Sequence, residues 1–119
     1  EKDNVILKLN PKLAPIKAAI FPLVKKDEAL VKISKEIYKN LREEWNVLYD
    51  DSGSVGRRYA RNDEIGTPFC ITVDSDSIKQ KDVTIRNRDD GKQVRIKIPE
   101  LKDTLRKLIS GEIEFEDLK

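Results

Sequence analysis

Residues 16–49 read IKAAIFPLVKKDEALVKISKEIYKNLREEWNVLY, and the hydrophobic period changes twice within them. Ile16 to Val24 is a β-branched, mostly apolar run, continuous enough for a strand buried on both faces. Pro22 demotes its last residues to a strand edge or loop. From Asp27 onward Leu30, Ile33, Ile37 and Leu41 recur at three- and four-residue spacing, with Lys32, Lys35, Glu36, Lys39 and Arg42 filling the other face. That spacing predicts an amphipathic helix capped by Asp27 and ending near Glu44 or Trp45. Val47-Leu48-Tyr49 then starts a second short strand. A strand, a helix and a strand in succession imply parallel pairing and an α/β domain.

Outward toward the C-terminus, Asp50-Asp51-Ser52-Gly53-Ser54 is loop chemistry, with Ser54 placed to cap a helix over Val55 to Ile65. Gly66 fits its C′ position and Pro68 prevents resumption. Pro68 to Val73 reads as a third strand, closed by a loop at Asp74-Ser75-Asp76-Ser77. Val83 and Ile85 then alternate with Thr84, Arg86 and Arg88, and Val94, Ile96 and Ile98 alternate with Arg95 and Lys97. Asp90-Gly91 suits a two-residue type I′ hairpin turn, which would pair Arg86 with Arg95, Ile85 with Ile96 and Val83 with Ile98. One face is then apolar and the other carries Arg86, Arg88, Arg95 and Lys97. A last helix over Pro99 to Ile109 ends at Ser110-Gly111. The order β-α-β-α-β-β-β-α predicts a three-layer α/β/α domain: a five-stranded mixed sheet with three flanking helices.

Toward the N-terminus, Asn10-Pro11 and Ala14-Pro15 steer the chain away from helix, so residues 1–15 are expected to be an extended connector and 16–119 the domain. The chain begins at Glu1 and contains no Met, as expected of a piece of a longer polypeptide. At 119 residues it can bury one core. The 24 Lys and Arg against 22 Asp and Glu leave a net charge of +2, so any nucleic-acid partner would be read from the placement of the basic residues, not their sum. There is no His, and Cys70 is the only cysteine, which excludes imidazole chemistry, intrachain disulfides and Cys–His metal sites. No apolar run is long enough to span a membrane.

The most loaded stretch is Gly53 to Gly66. Arg57 and Arg61 are four apart on one helix face and Arg58 lies roughly 100° round. They either grip nucleic acid or pair with Asp63, Glu64, Asp50 or Asp51. The hairpin face either presents guanidinium planes to bases or is offset by acidic partners, since arginines opposite one another on a sheet repel. Asp50-Asp51 and Asp89-Asp90 are carboxylate pairs in turns, where Asp caps the backbone. Phe69 either fills the core or stacks on an unpaired base. Cys70 reads as an inert buried thiol, and Tyr38 and Trp45 as packing.

Residues 50–69, DDSGSVGRRYARNDEIGTPF, resemble the C-terminal anticodon-binding domain of glycyl-tRNA synthetases, class II enzymes, in the type found in archaea and the eukaryotic cytoplasm. Three further stretches agree: Leu13-Ala14-Pro15-Ile16-Lys17, Arg86-Asn87-Arg88-Asp89 and Gly111-Glu112-Ile113-Glu114-Phe115. The second matches an Arg-x-Arg-Asp pattern in which Asp is commoner than the Asn found here. The resemblance covers roughly residues 8–119 and implies the same five-stranded, three-helix class II fold.

It also implies a function. The domain would hold the anticodon arm of glycine tRNA, whose second and third anticodon bases are cytosines. Arg57, Arg58, Arg61, Phe69, Arg86 and Arg88 would face the anticodon, with Asp89 or Glu64 accepting from the cytosine amine. The class II motifs for ATP and amino-acid activation are missing, so ATP, magnesium and glycine chemistry would belong to a catalytic domain of the same chain. The domain itself would carry no cofactor or metal and would not aminoacylate alone. The parent would be a cytoplasmic homodimer with no membrane contact. Two other classes remain open: a protein-interaction module of the same fold, as in the accessory subunit of mitochondrial DNA polymerase, and a small enzyme working through a carboxylate, Lys or Tyr.

Overall fold

The computed structural model describes residues 10–118. Its strands are β1 (Ala18–Pro22), β2 (Val47–Tyr49), β3 (Phe69–Val73), β4 (Asp82–Asn87) and β5 (Gln93–Lys97). The helices are α1 (Glu28–Leu41), α2 (Val55–Glu64), α3 (Ser75–Gln80) and α4 (Ile98–Ser110), followed by a 3-10 turn at Phe115–Asp117. The sheet order is β2-β1-β3-β4-β5. β1 runs parallel to β2 and β3, while β4 is antiparallel to both β3 and β5.

Alternation along the strands builds two unequal cores. Ala18, Ile20, Phe69, Ile71, Val73, Val83 and Ile85 face Leu30, Ile37 and Leu41 of α1 and Leu101, Leu105 and Leu108 of α4. On the other side Ala19, Phe21 and Cys70 meet Leu48 and Tyr59, the latter from α2. Among the described residues α2 alone covers that second face, and on the β4–β5 half Arg86 is partly buried while Gln93, Arg95 and Lys97 are exposed. Tyr38 and Trp45 pack against the larger core. Cys70 is buried and burial pushes its thiol up to about 12, so it stays protonated and unreactive.

Four expectations need correction. Asp74-Ser75-Asp76-Ser77 opens a fourth helix, α3, instead of a loop. The Asp74 carboxylate accepts from the Ser77 N–H at 3.2 Å and the Ser77 hydroxyl accepts from the Asp74 N–H at 3.0 Å, a reciprocal cap. The hairpin pairs Arg86 with Gln93, Ile85 with Val94, Thr84 with Arg95 and Val83 with Ile96, two residues away from the expected register. The turn therefore spans residues 88–91, closed by the Asn87 N–H on the Lys92 carbonyl at 2.8 Å, and Arg88 leaves the strand face. Arginines do not sit opposite one another; Arg95 instead reaches Asp74 at 2.8 Å and Asp82 at 2.5 Å.

Helix α1 ends at Leu41, because the N–H groups of Glu44 and Trp45 both turn back onto the Leu41 carbonyl at 3.1 Å. Residues 10–14 form a turn, not an extended connector: the Asn10 side chain accepts from the Lys12 N–H at 2.9 Å and the Asn10 carbonyl from the Leu13 N–H at 2.8 Å. The rest of the expected connector, residues 1–9, lies outside the described residues.

Candidate nucleic-acid interface

Helix α2 begins where Ser54 accepts from the Arg57 N–H at 3.3 Å, and ends with Gly66 at φ +82°, a conformation glycine takes without strain. This places its arginines in three different environments. Arg57 is exposed and its side chain makes no hydrogen bond or ion pair with a described residue. Arg61 lies across the β2–α2 loop, donating to Asp50 at 2.7 Å and to the Ser52 carbonyl at 3.1 Å. Arg58 turns inward and is 2% exposed. It donates to the Pro22 carbonyl at 2.6 Å and the Gly53 carbonyl at 3.2 Å, with its guanidinium 5.3 Å from the Phe21 ring centroid.

Arg86 comes up from β4 to complete a layer on the same face. Its guanidinium lies 4.6 Å from the Tyr59 ring centroid and donates through both terminal nitrogens to Asp63, at 3.1 and 3.3 Å. Tyr59 in turn meets Phe21 edge-on at 5.4 Å and bonds Thr72 through its hydroxyl at 3.0 Å. The guanidinium plane is thus fixed by a ring beneath and a carboxylate beside it. Of the acids suggested as partners for the α2 arginines, Asp50 pairs with Arg61, whereas Asp63 serves Arg86.

The other candidates lie elsewhere. Arg88 is 3% exposed, donating to the Gly66 carbonyl at 2.9 Å and to Asp89 at 2.9 Å, so it clamps the hairpin tip onto the α2–β3 loop. Asp89 itself is exposed. Phe69 is 3% exposed, on the opposite sheet face from Arg86, in the larger core. It forms part of the wall of a cleft of about 390 Å³ together with Asn87, Asp89 and Phe115. The two aspartate pairs behave as turn residues: Asp50 accepts from the Ser52 N–H at 3.0 Å and Asp90 from the Lys92 N–H at 2.9 Å. No cluster of metal-ligating side chains occurs among the described residues. Sequence reasoning missed Tyr59 as the platform for Arg86; the adjacency of Tyr59 to the arginine pair was the available signal.

The Asp50 carboxyl carries a testable electrostatic signature. Burial raises its pKa, but the Arg61 and Ser52 hydrogen bonds outweigh this and hold it below the ordinary 3.8. A depressed folded-state value means the stabilisation is present above that ordinary value and is lost as pH falls below it. Thermal unfolding between about pH 4 and pH 2 should therefore show a shallower acid slope for Arg61→Ala than for the unsubstituted chain. Parallel curves would remove the assigned role of this pair.

The chain is thus a three-layer α/β domain whose β4–β5 half is open to solvent on the face that carries Arg86 and Arg95. A profile of the anticodon-binding domain family matches residues 17–108, and the chain belongs to that family. It is 58% identical over 100 residues to the glycine–tRNA ligase of Rhodopirellula baltica, covering 84% of this chain and 18% of that protein. The corresponding ligase of Methanocaldococcus jannaschii is 54% identical over 107 residues, covering 89% of this chain and 18% of the ligase. That of Corynebacterium glutamicum is 51% identical over 108 residues, covering 91% and 23%. This form of the domain thus occurs in bacteria as well as in an archaeon. The chain spans about a fifth of the length of these relatives. Among solved structures, the prolyl-tRNA synthetase of Cryptosporidium parvum, complexed with halofuginone and AMPPNP, matches 88% of this chain and 23% of its own with a TM-score of 0.81 at 28% identity.

Proposed function

We propose that this chain is the part of a glycine–tRNA ligase that holds the anticodon arm of glycine tRNA. The observation that carries the reading is the match of 84–91% of the chain to glycine–tRNA ligases at 51–58% identity. The geometry supplies the chemistry. Arg57, Arg61 and Arg86 are the arginines of the candidate set that reach solvent, and they would donate to phosphates and to the acceptor edges of splayed bases. Cytosine adds an exocyclic amine donor, for which the exposed carboxylates of Asp89 and Glu64 are the acceptors. Arg58, Arg88 and Phe69 hold these groups in place from within.

The remainder of such a ligase would supply the ATP, magnesium and glycine chemistry, so this chain alone should not aminoacylate. We place the parent in the cytoplasm as a homodimer; no helix of the described residues is long and apolar enough to cross a membrane. Arg86→Ala is expected to weaken binding of a glycine-tRNA anticodon stem-loop by about 1–3 kcal/mol, while a stem-loop with both cytosines changed loses much less. A low-salt titration of both RNAs checks this. Equal losses would reduce Arg86 to a backbone contact, and an unsubstituted chain without cognate preference would favour a protein-interaction module.

A further inference from the structure

Helix α1 carries a row of cations that no described carboxylate pairs with. Lys32, Lys35, Lys39 and Arg42 are three or four residues apart and all are exposed. None of their side chains makes an ion pair or hydrogen bond with a described residue. By contrast, Arg61, Arg86, Arg88, Arg95 and Arg106 each have a carboxylate within 3.2 Å. Glu28 and Glu36 stand four residues either side of Lys32, and Glu43 four beyond Lys39, but none makes an ion pair with the row; Glu43 pairs with Lys102 and Glu44 with Arg106.

Beside this row runs a groove of about 300 Å³ between α1 and the edge strand β2, lined by Lys35, Tyr38, Lys39, Arg42, Leu48 and Tyr49. Lys35 sits 5.6 Å from the Tyr49 ring centroid and Arg42 5.5 Å from that of Tyr38, while the two rings meet edge-on at 6.4 Å. The tyrosines therefore hold two of the cations in place over their faces. Asp51, just past the end of β2, accepts from the Tyr49 hydroxyl at 3.4 Å.

We propose that this α1–β2 groove is a second RNA contact, taking the sugar-phosphate backbone and reading no base. The proposal rests on the anticodon-arm reading above and extends it to a separate surface. Lys35 and Lys39 are like charges at helical i,i+4 spacing, which destabilises a helix, and no ion pair with a described residue offsets either; a phosphodiester backbone would. A cation already lies over a face of each ring, so the groove presents charge suited to phosphate contact. Tyr49, which lines the groove, is followed directly by Asp50, the partner of Arg61.

The test is a pair of double variants titrated with the cognate anticodon stem-loop and its cytosine-changed counterpart across a range of KCl. Lys35→Ala with Lys39→Ala removes two groove cations. Lys102→Ala with Lys107→Ala removes the same charge from α4, where both lysines have acidic partners. The groove variant should lose affinity for both RNAs by the same factor, roughly fivefold or more, with the salt slope falling by about 0.7–0.9 per cation removed. The α4 variant should do neither. If the two variants behave alike while cognate preference persists, the groove proposal falls and the anticodon reading stands. Groove-dependent binding without cognate preference does the opposite, and a chain that binds neither RNA at low salt sinks both.

Discussion

Arg58→Ala is expected to cost about 3–4 kcal/mol of unfolding free energy, a fall in Tm on the order of 10 °C. The side chain is 2% exposed and closes the crevice between the end of β1 and the loop before α2. Its three bonds, to the Pro22 carbonyl at 2.6 Å and to the Gly53 carbonyl at 3.2 and 3.3 Å, are all charge-assisted. Truncation leaves the carbonyl of the buried Pro22 without its donor and exposes the Phe21 ring on which the guanidinium lies. Each bond to a charged donor contributes about 1.5–3 kcal/mol, and because they share one guanidinium their sum overstates the loss. Arg58→Lys should recover only part of the deficit, since an ammonium is a point charge and cannot bridge both carbonyls in one plane. Chemical denaturation of the two variants decides the matter. A loss below about 1 kcal/mol for Arg58→Ala would mean the crevice does not depend on this side chain.

Much of the architecture follows from period alone, and the misses have a common cause. The spacing of Leu30, Ile33, Ile37 and Leu41 and the alternation around Val83 and Ile85 identify helix and strand, because side-chain direction is a local property. Register is not local. Asp90-Gly91 has the composition of a two-residue turn, yet the Arg88 N–H is taken by the Pro68 carbonyl at 3.0 Å and its guanidinium by the Gly66 carbonyl. Those tertiary bonds draw Arg88 and Asp89 out of the ladder and lengthen the turn. The slip is two residues, an even number, so each side chain keeps its expected face and only its partner changes.

The site divides in the same way. Arg61 and Asp50 belong to the β2–α2 loop and the helix it opens, and their pairing is legible as a neighbour effect. Arg86 and Asp63 are 23 residues apart and meet only because β4 lies beside β3. Helix α3 was hidden because six residues with one reciprocal cap carry too little periodicity to register. Arg57, Arg58 and Arg61 look alike in sequence, and only the packed α2 sorts them into one exposed, one buried and one ion-paired side chain.

Phe69→Ala should be the other severe substitution, with an expected loss of about 3–5 kcal/mol. Phe69 opens β3 between Ala18 of β1 and Asn87 of β4, and its ring belongs to the larger core with Leu108, Ile109 and Phe115. Removing it withdraws an aromatic side chain from both strands and from the tail that closes over them. The same residue was the candidate for stacking on an anticodon base, and Ala cannot separate the two roles because it damages the fold. Phe69→Leu can. It keeps the burial and most of the volume, so the expected cost is below about 1.5 kcal/mol. At 3% exposure the ring offers no free face to a base, so stem-loop affinity should change by less than about twofold. A folded Phe69→Leu that loses tenfold in affinity for the cognate stem-loop would mean that RNA opens the Asn87–Asp89 cleft and reaches the ring. Retained affinity in Phe69→Leu, beside lowered stability in Phe69→Ala, would fix its role as the floor on which the cleft is built.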